Sequence, residues 1–277
     1  MHYPLIDPMI VSLGPLAIRW YGLSYLAAFA TAYFLLMLRS RSMAGRFDEK
    51  AISDLVFYGA LGAVIGGRLG SVFFYNFDYF LRDPTYLLRI WEGGMSFHGG
   101  LLGVAVAMFL YARQSGRDFF TVTDFLVPAV PTGLGFGRLG NFANTELPGR
   151  VTESGFGFHY PCSADAIQAI SLTCSSEWEA VMRHPSPLYQ AFAEGVVLFA
   201  LVWWVSSKPR ATAVVSGTFI AGYGALRVVT EYFRAPDAHI GYLAGDWLTM
   251  GQVLSLPLVL AGILIIAYGR RWQRRAG

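Results

Sequence analysis

Seven apolar stretches, each close to the length that crosses a bilayer, constrain this chain more than any other feature. They run over about residues 16–38, 51–75, 95–112, 121–142, 187–206, 216–233 and 249–269. Lipid offers the backbone no hydrogen-bond partners, so a run of this length is stable there as a helix. The pattern predicts an all-α polytopic membrane protein with seven transmembrane helices in one integral-membrane domain, 1–277. Composition agrees: only 14% of residues are charged, against roughly 25% in soluble domains. A net charge of +3 is too small to suggest a nucleic-acid partner. Residues 1–15 lack a basic n-region and contain Asp7 and three prolines, so no cleavable signal peptide is expected.

Basic residues orient the bundle. Arg39, Arg41, Arg46 and Lys50 follow the first stretch, Arg113 and Arg117 the third, and Lys208 and Arg210 the fifth. Arg270, Arg271, Arg274 and Arg275 follow the seventh. With seven spans all four clusters fall on one side, which the positive-inside rule makes the cytoplasm. The N-terminus is then outside and the C-terminus inside. The opposite side carries the segment 144–186, rich in Gly, Ser, Asp and Glu, read as a small extracytoplasmic head between spans four and five. Cys162 and Cys174 lie in it, on the oxidising side. They are either a disulfide, contributing about 3 kcal/mol, or two separate thiols.

Polar residues inside the spans are the functional candidates, since an arginine at mid-bilayer costs at least about 2.5–3.5 kcal/mol. Tyr223, Arg227 and Glu231 are spaced i, i+4, i+8 and share one helical face. Glu231 can orient the guanidinium and Tyr223 can donate to the same ligand; an internal salt bridge is the other reading. Arg138, Asn141, Asn144 and Glu146 gather near the outer end of span four. An arginine fork suits phosphate, and the amides suit ester or hydroxyl groups. Gly135, Gly137 and Gly140 match G-x-G-x-x-G, but without a strand before them that pattern carries no dinucleotide meaning. Arg68, among Gly59, Gly62, Gly66 and Gly70, is either functional or a charge at a helix-packing seam.

His98 stands between glycines at the outer start of span three, where an imidazole can act as a general base or simply hold structure. Tyr21 is either an interfacial aromatic or a ligand contact. No metal-ligand spacing appears among the histidines. The chain also lacks a G-x-S-x-G elbow, a zincin motif and a Walker loop. Residue chemistry alone therefore reaches an anionic lipid bound at membrane depth. A transporter or flippase of such a lipid is the alternative class, although the polar groups cluster on one side and no inverted repeat is apparent.

The run from Gly137 to Gly149, with Arg138, Asn141, Phe142, Asn144 and Glu146, resembles the signature of the bacterial prolipoprotein diacylglyceryl transferases. So do Trp20-Tyr21-Gly22, the segment Gly94 to Gly100 with His98, His184-Pro185-Ser186, and Gly222-Tyr223-Gly224 followed by Arg227 and Glu231. Ala143 and Pro148 depart from it, beside the polar set. The resemblance implies transfer of a diacylglyceryl group from phosphatidylglycerol to the lipobox cysteine of a prolipoprotein signal peptide. A thioether forms and glycerol phosphate leaves, with no cofactor or metal. It also implies a bacterial inner-membrane enzyme, surrounded by membrane lipids, with its active site toward the extracytoplasmic side. In that scheme His98 is the candidate base, and an arginine-centred reaction without a dedicated base is the rival. Arg138 and Arg227 hold the departing phosphate. Glu231 orients Arg227, and Tyr21, Asn141, Asn144, Glu146, Gly149 and Tyr223 contact substrate.

Overall fold

The computed structural model describes residues 1–4, 6–13, 16–42, 47–90, 94–160, 162–163, 178, 181–236 and 241–276. The chain divides into two compact units, Met1–Ala32 with Val127–Gly277, and Tyr33–Leu126.

The first unit opens with an antiparallel pair, β1 (Met9–Leu13) and β2 (Leu16–Arg19), in which Val11 pairs with Ile18 and Ser12 with Ala17. This corrects the all-α expectation. Residues 16–19 extend the apolar run of the first span and so read as helix, yet they follow Pro15, which lacks the amide a helix interior needs. Their β-branched neighbours Ile10, Val11 and Ile18 suit strands. Helix α1 (Trp20–Ser42) therefore begins four residues later than expected, with Arg39 and Arg41 in its last turn, where cations suit the helix dipole.

The second unit is built on α2 (Glu49–Tyr75), followed by the short α3 (Phe77–Arg82) and a 3-10 turn, Pro84–Leu88. The Asp48 side chain caps α2 by accepting from the Ala51 amide at 2.8 Å. Helix α4 (Phe97–Gln114) is capped in the same way by Ser96, which accepts from the Gly99 amide at 3.2 Å. The two long helices meet along a glycine seam. A Cβ on Gly66 would lie 2.8 Å from Gly103 Cα, and one on Gly70 would lie 2.8 Å from Gly99 Cα. Only hydrogen at these positions lets the backbones come so close. A groove of about 610 Å³ follows this pair, lined by residues such as Leu61, Ile65, Leu69, Phe73, Leu102 and Val106, with no charged side chain in its walls.

The stretch expected as span four is not one continuous helix. It consists of α5 (Phe119–Leu126) and α6 (Val130–Ala143), separated by residues 127–129. Pro128 removes an amide and biases the preceding residue away from helix, which accounts for the break. The remaining helices are α7 (Ser186–Ser206), α8 (Val214–Glu231) and α9 (Met250–Ala276). Within α7 the stretch Ala191–Val197 is π-helical.

By length and composition, four of the described helices qualify as membrane spans, α1, α2, α7 and α9, and the broken pair raises this to five. The chain is thus a predominantly helical, multi-pass membrane protein. Helices α4 and α8 occupy the expected third and sixth spans with 18 residues each. His98 and several glycines make α4 less apolar, as Arg227 and Glu231 do for α8.

Candidate functional site

The site is assembled in the first unit by α6, α7 and α8, with α7 packed against both of the others. Gly135 of α6 and Gly195 of α7 set the approach: a Cβ on Gly135 would stand 3.1 Å from Gly195 Cα. One turn beyond Gly135, Arg138 then reaches Glu194 of α7, Nε to Oε2 at 3.2 Å. From α8, Arg227 donates Nη1 to the other oxygen of the same carboxylate at 3.4 Å. Arg227 is also paired through Nη2 with Glu231 Oε2 at 2.9 Å, one turn along α8. Glu231 Oε1 in turn lies 3.8 Å from Arg234 Nη1.

The result is a chain of five charges, Arg138–Glu194–Arg227–Glu231–Arg234. Glu194 is at 0% exposure. Leaving such a charge unpaired would cost several kcal/mol, so its two guanidinium partners are a condition of its being there. Among the described residues this chain joins three guanidiniums through two carboxylates. Guanidiniums held in place among apolar helices are suited to an anion such as a phosphate. Tyr223, buried one turn before Arg227, interacts with Arg138 and feels the charge of Glu194.

Beyond Arg138, the end of α6 holds a second polar group. Asn141 Nδ2 donates to Glu146 Oε2 at 2.8 Å, and Asn144 Nδ2 to Glu146 Oε1 at 3.1 Å. Glu146 sits between Thr145 and Leu147, whose φ angles of 55° and 56° are left-handed. That conformation costs an L-residue with a side chain roughly 1–2 kcal/mol. The strain is held by Glu146 N donating to Asn141 O at 2.9 Å and Thr145 N to Phe142 O at 3.0 Å. Strain of this kind collects where a side chain must be aimed.

The head segment is stitched to the same helices. Gly149 donates its amide to His184 O at 2.9 Å and bridges Arg234. A Cβ at Gly149 would come within 2.6 Å of Phe233 O, so its role in this geometry is close backbone approach. Arg150 Nε donates to Arg234 O at 3.1 Å, and Ser186 Oγ to Leu147 O at 2.7 Å. His184 packs edge-on against Phe233, and burial lowers its pKa below the ordinary histidine value. Cys162 is fully buried with Tyr3 and Tyr160 and is disulfide-bonded; Cys174, its expected partner, lies outside the described residues.

Of the residues singled out from the sequence, Arg138, Arg227, Glu231 and Tyr223 are brought together, and Asn141, Asn144 and Glu146 form the adjoining group. Tyr21 borders them: a Cβ on Gly140 would meet its Cδ2 at 2.9 Å, and its hydroxyl lies 3.3 Å from that of Tyr25. His98 belongs to the second unit, where it is exposed in the first turn of α4. Arg68 is in that unit too, donating Nε to Leu87 O at 3.1 Å, Nη1 to Gly94 O at 3.4 Å, and Nη2 to Tyr86 O. It latches the segment that follows α2. Glu194 was missed by sequence reasoning. The available signal was a lone carboxylate in an otherwise apolar 187–206 stretch.

The family model described as prolipoprotein diacylglyceryl transferase matches residues 8–268 of the chain. A phosphatidylglycerol–prolipoprotein diacylglyceryl transferase of Xanthomonas axonopodis pv. citri is 51% identical over 274 residues, covering 96% of this chain and 92% of the relative. One from Vibrio cholerae is 50% identical over 268 residues, covering 97% and 93%.

Proposed function

Because the chain belongs to the prolipoprotein diacylglyceryl transferase family, we propose that it moves the diacylglyceryl group of phosphatidylglycerol onto the lipobox cysteine of a prolipoprotein. The observation that carries this is the Arg138–Glu194–Arg227–Glu231–Arg234 chain, with its fixed guanidiniums, among apolar helices. In the reaction the cysteine sulfur bonds to the glyceryl carbon that bears the phosphate. The carbon–oxygen bond breaks, and its electron pair leaves with the phosphate oxygen. A phosphodiester with one negative charge becomes a glycerol phosphate carrying a second, and the thiol proton is given up. Fixed guanidinium donors stabilise that added charge most effectively where water is excluded. Arg138 and Arg227 are placed for this, with Glu194 and Glu231 holding them in position. Asn141, Asn144, Glu146, Tyr21 and Tyr223 position the glycerol and ester groups, and Gly149 shapes the wall. His98 is the candidate base for the thiol.

The proposal includes seven spans in a bacterial inner membrane, α4 and α8 completing the set, with the N-terminus and the site outside. The basic ends of α1 and α9 support that orientation. The head, 144–186, then lies on the outer side with the site.

The test uses purified protein, phosphatidylglycerol and a lipobox peptide followed by mass spectrometry. A diacylglyceryl adduct on the cysteine that disappears with Arg138→Ala is the expected result. His98→Gln run in parallel separates a dedicated base from an arginine-centred reaction. Folded protein that binds the lipid yet yields no adduct would overturn the enzyme reading.

A further inference from the structure

Gln190 of α7 is at 0% exposure, and neither its Nε2 nor its Oε1 has a hydrogen-bond partner among the described residues. A buried carboxamide normally has partners for its two donors and its oxygen, and an exception calls for a ligand or a reason. Its position supplies the ligand. Ser186, Gln190 and Glu194 follow one another at i, i+4, i+8 along α7, and all three are at 0% exposure. At one end Ser186 is bonded to the Leu147 carbonyl, beside Glu146; at the other, Glu194 holds Arg138 and Arg227. Gln190 lies between, about 6 Å of helix rise from each. The first turns of α7 touch both α6 and α8, the two helices that bring the rest of the site. The π-helical turn begins at the next residue, Ala191, and such turns are frequent at functional sites.

We infer that the Gln190 carboxamide binds the headgroup of the phospholipid, its oxygen accepting a hydrogen bond from a headgroup hydroxyl and its amide donating back. The phosphate has the arginines, and a phosphate oxygen would leave Oε1 without a donor. A hydroxyl, donor and acceptor at once, satisfies both ends of the amide. Gln190 is thus a specificity residue for a hydroxyl-bearing headgroup. This rests on the reading of the site as a phosphatidylglycerol site.

The experiment compares phosphatidylglycerol with phosphatidylpropanol, the same lipid without headgroup hydroxyls, in the peptide-modification assay. Wild-type protein is set beside Gln190→Met, with Gln190→Leu as a second apolar replacement. The wild type is expected to show a KM about tenfold lower for phosphatidylglycerol, and the variants a ratio near one. A merely structural Gln190 would leave the ratio unmoved, because an apolar residue of similar size is tolerated where both polar ends lack partners. A preference that survives in Gln190→Met or Gln190→Leu overturns the inference. So does a wild type that treats the two lipids alike, whatever the variants do. A wild type that modifies the peptide with neither lipid overturns the transferase reading itself, and the Gln190 assignment with it.

Discussion

In the second unit Arg68, 3% exposed, gives its donors to the main-chain carbonyls of Tyr86, Leu87 and Gly94, with its guanidinium 4.4 Å from the Tyr86 ring centre. In the first unit Arg138 and Arg227 share the carboxylate of Glu194. Both arrangements keep an arginine among apolar helices, and they do different work. Carbonyls are fixed dipoles of the chain, so an arginine bonded to them fastens one backbone segment to another. A shared carboxylate is a charged counter-ion: it balances two guanidiniums on different helices at once. The surroundings match. The second unit's helices meet along a glycine seam beside a groove without charged walls, whereas α6, α7 and α8 meet around ions.

The sharpest way to break this contrast is to replace one arginine of each kind. Arg227→Gln is expected to lower kcat by about a thousandfold, close to 4 kcal/mol of transition-state stabilisation. Arg68→Met should leave kcat within about twofold while lowering the unfolding midpoint. If Arg68→Met stops turnover in protein that stays folded, the distinction is lost.

Next in size is Glu194→Ala, which leaves two buried guanidiniums without their common partner. A loss of about 3 kcal/mol of stability is expected, read from thermal unfolding in detergent, and a change below 1 kcal/mol would mean the arginines find other partners. Gly66→Ala tests the seam. Its Cβ would stand 2.8 Å from Gly103 Cα, a backbone atom that yields only by moving helix against helix. A cost of about 1–3 kcal/mol follows, with lipid headgroup preference unchanged.

The smallest effect concerns pH. Burial lowers the His184 pKa in the folded protein, so the unfolded chain binds more protons in the window below the ordinary value near 6.5. Stability from this group is complete above about pH 6.5 and is lost as pH falls toward the lowered folded value. His184→Gln should flatten that part of the stability–pH curve, and a curve unchanged by the substitution counts against the assignment.

What the sequence disclosed follows from the distance between partners. Tyr223, Arg227 and Glu231 announce themselves because helical spacing stacks them, and Asn141, Asn144 and Glu146 because they lie within six residues. The partners of Glu194 are 56 and 33 residues away in the chain. No local pattern links them, and a single carboxylate among apolar residues reads as a span. Gln190, a single carboxamide in the same apolar stretch, likewise reads as part of a span. The strand pair at 9–19 was concealed differently: apolar residues 16–19 continue the hydropathy of α1 without a break, and only Pro15 hints at the boundary. The left-handed Thr145 and Leu147 have no sequence signature, since neither is a glycine or asparagine.

The carboxylate held in common has a further consequence. An anion that draws Arg138 toward itself loosens that arginine's hold on Glu194, and the carboxylate's charge then falls more fully on Arg227. The two guanidiniums, carried on different helices, form one thermodynamic unit in which occupancy of either is felt by the other, and equally in both directions. Losses from replacing them singly will not add. Through Glu194, an anion arriving at one helix would be an event for two.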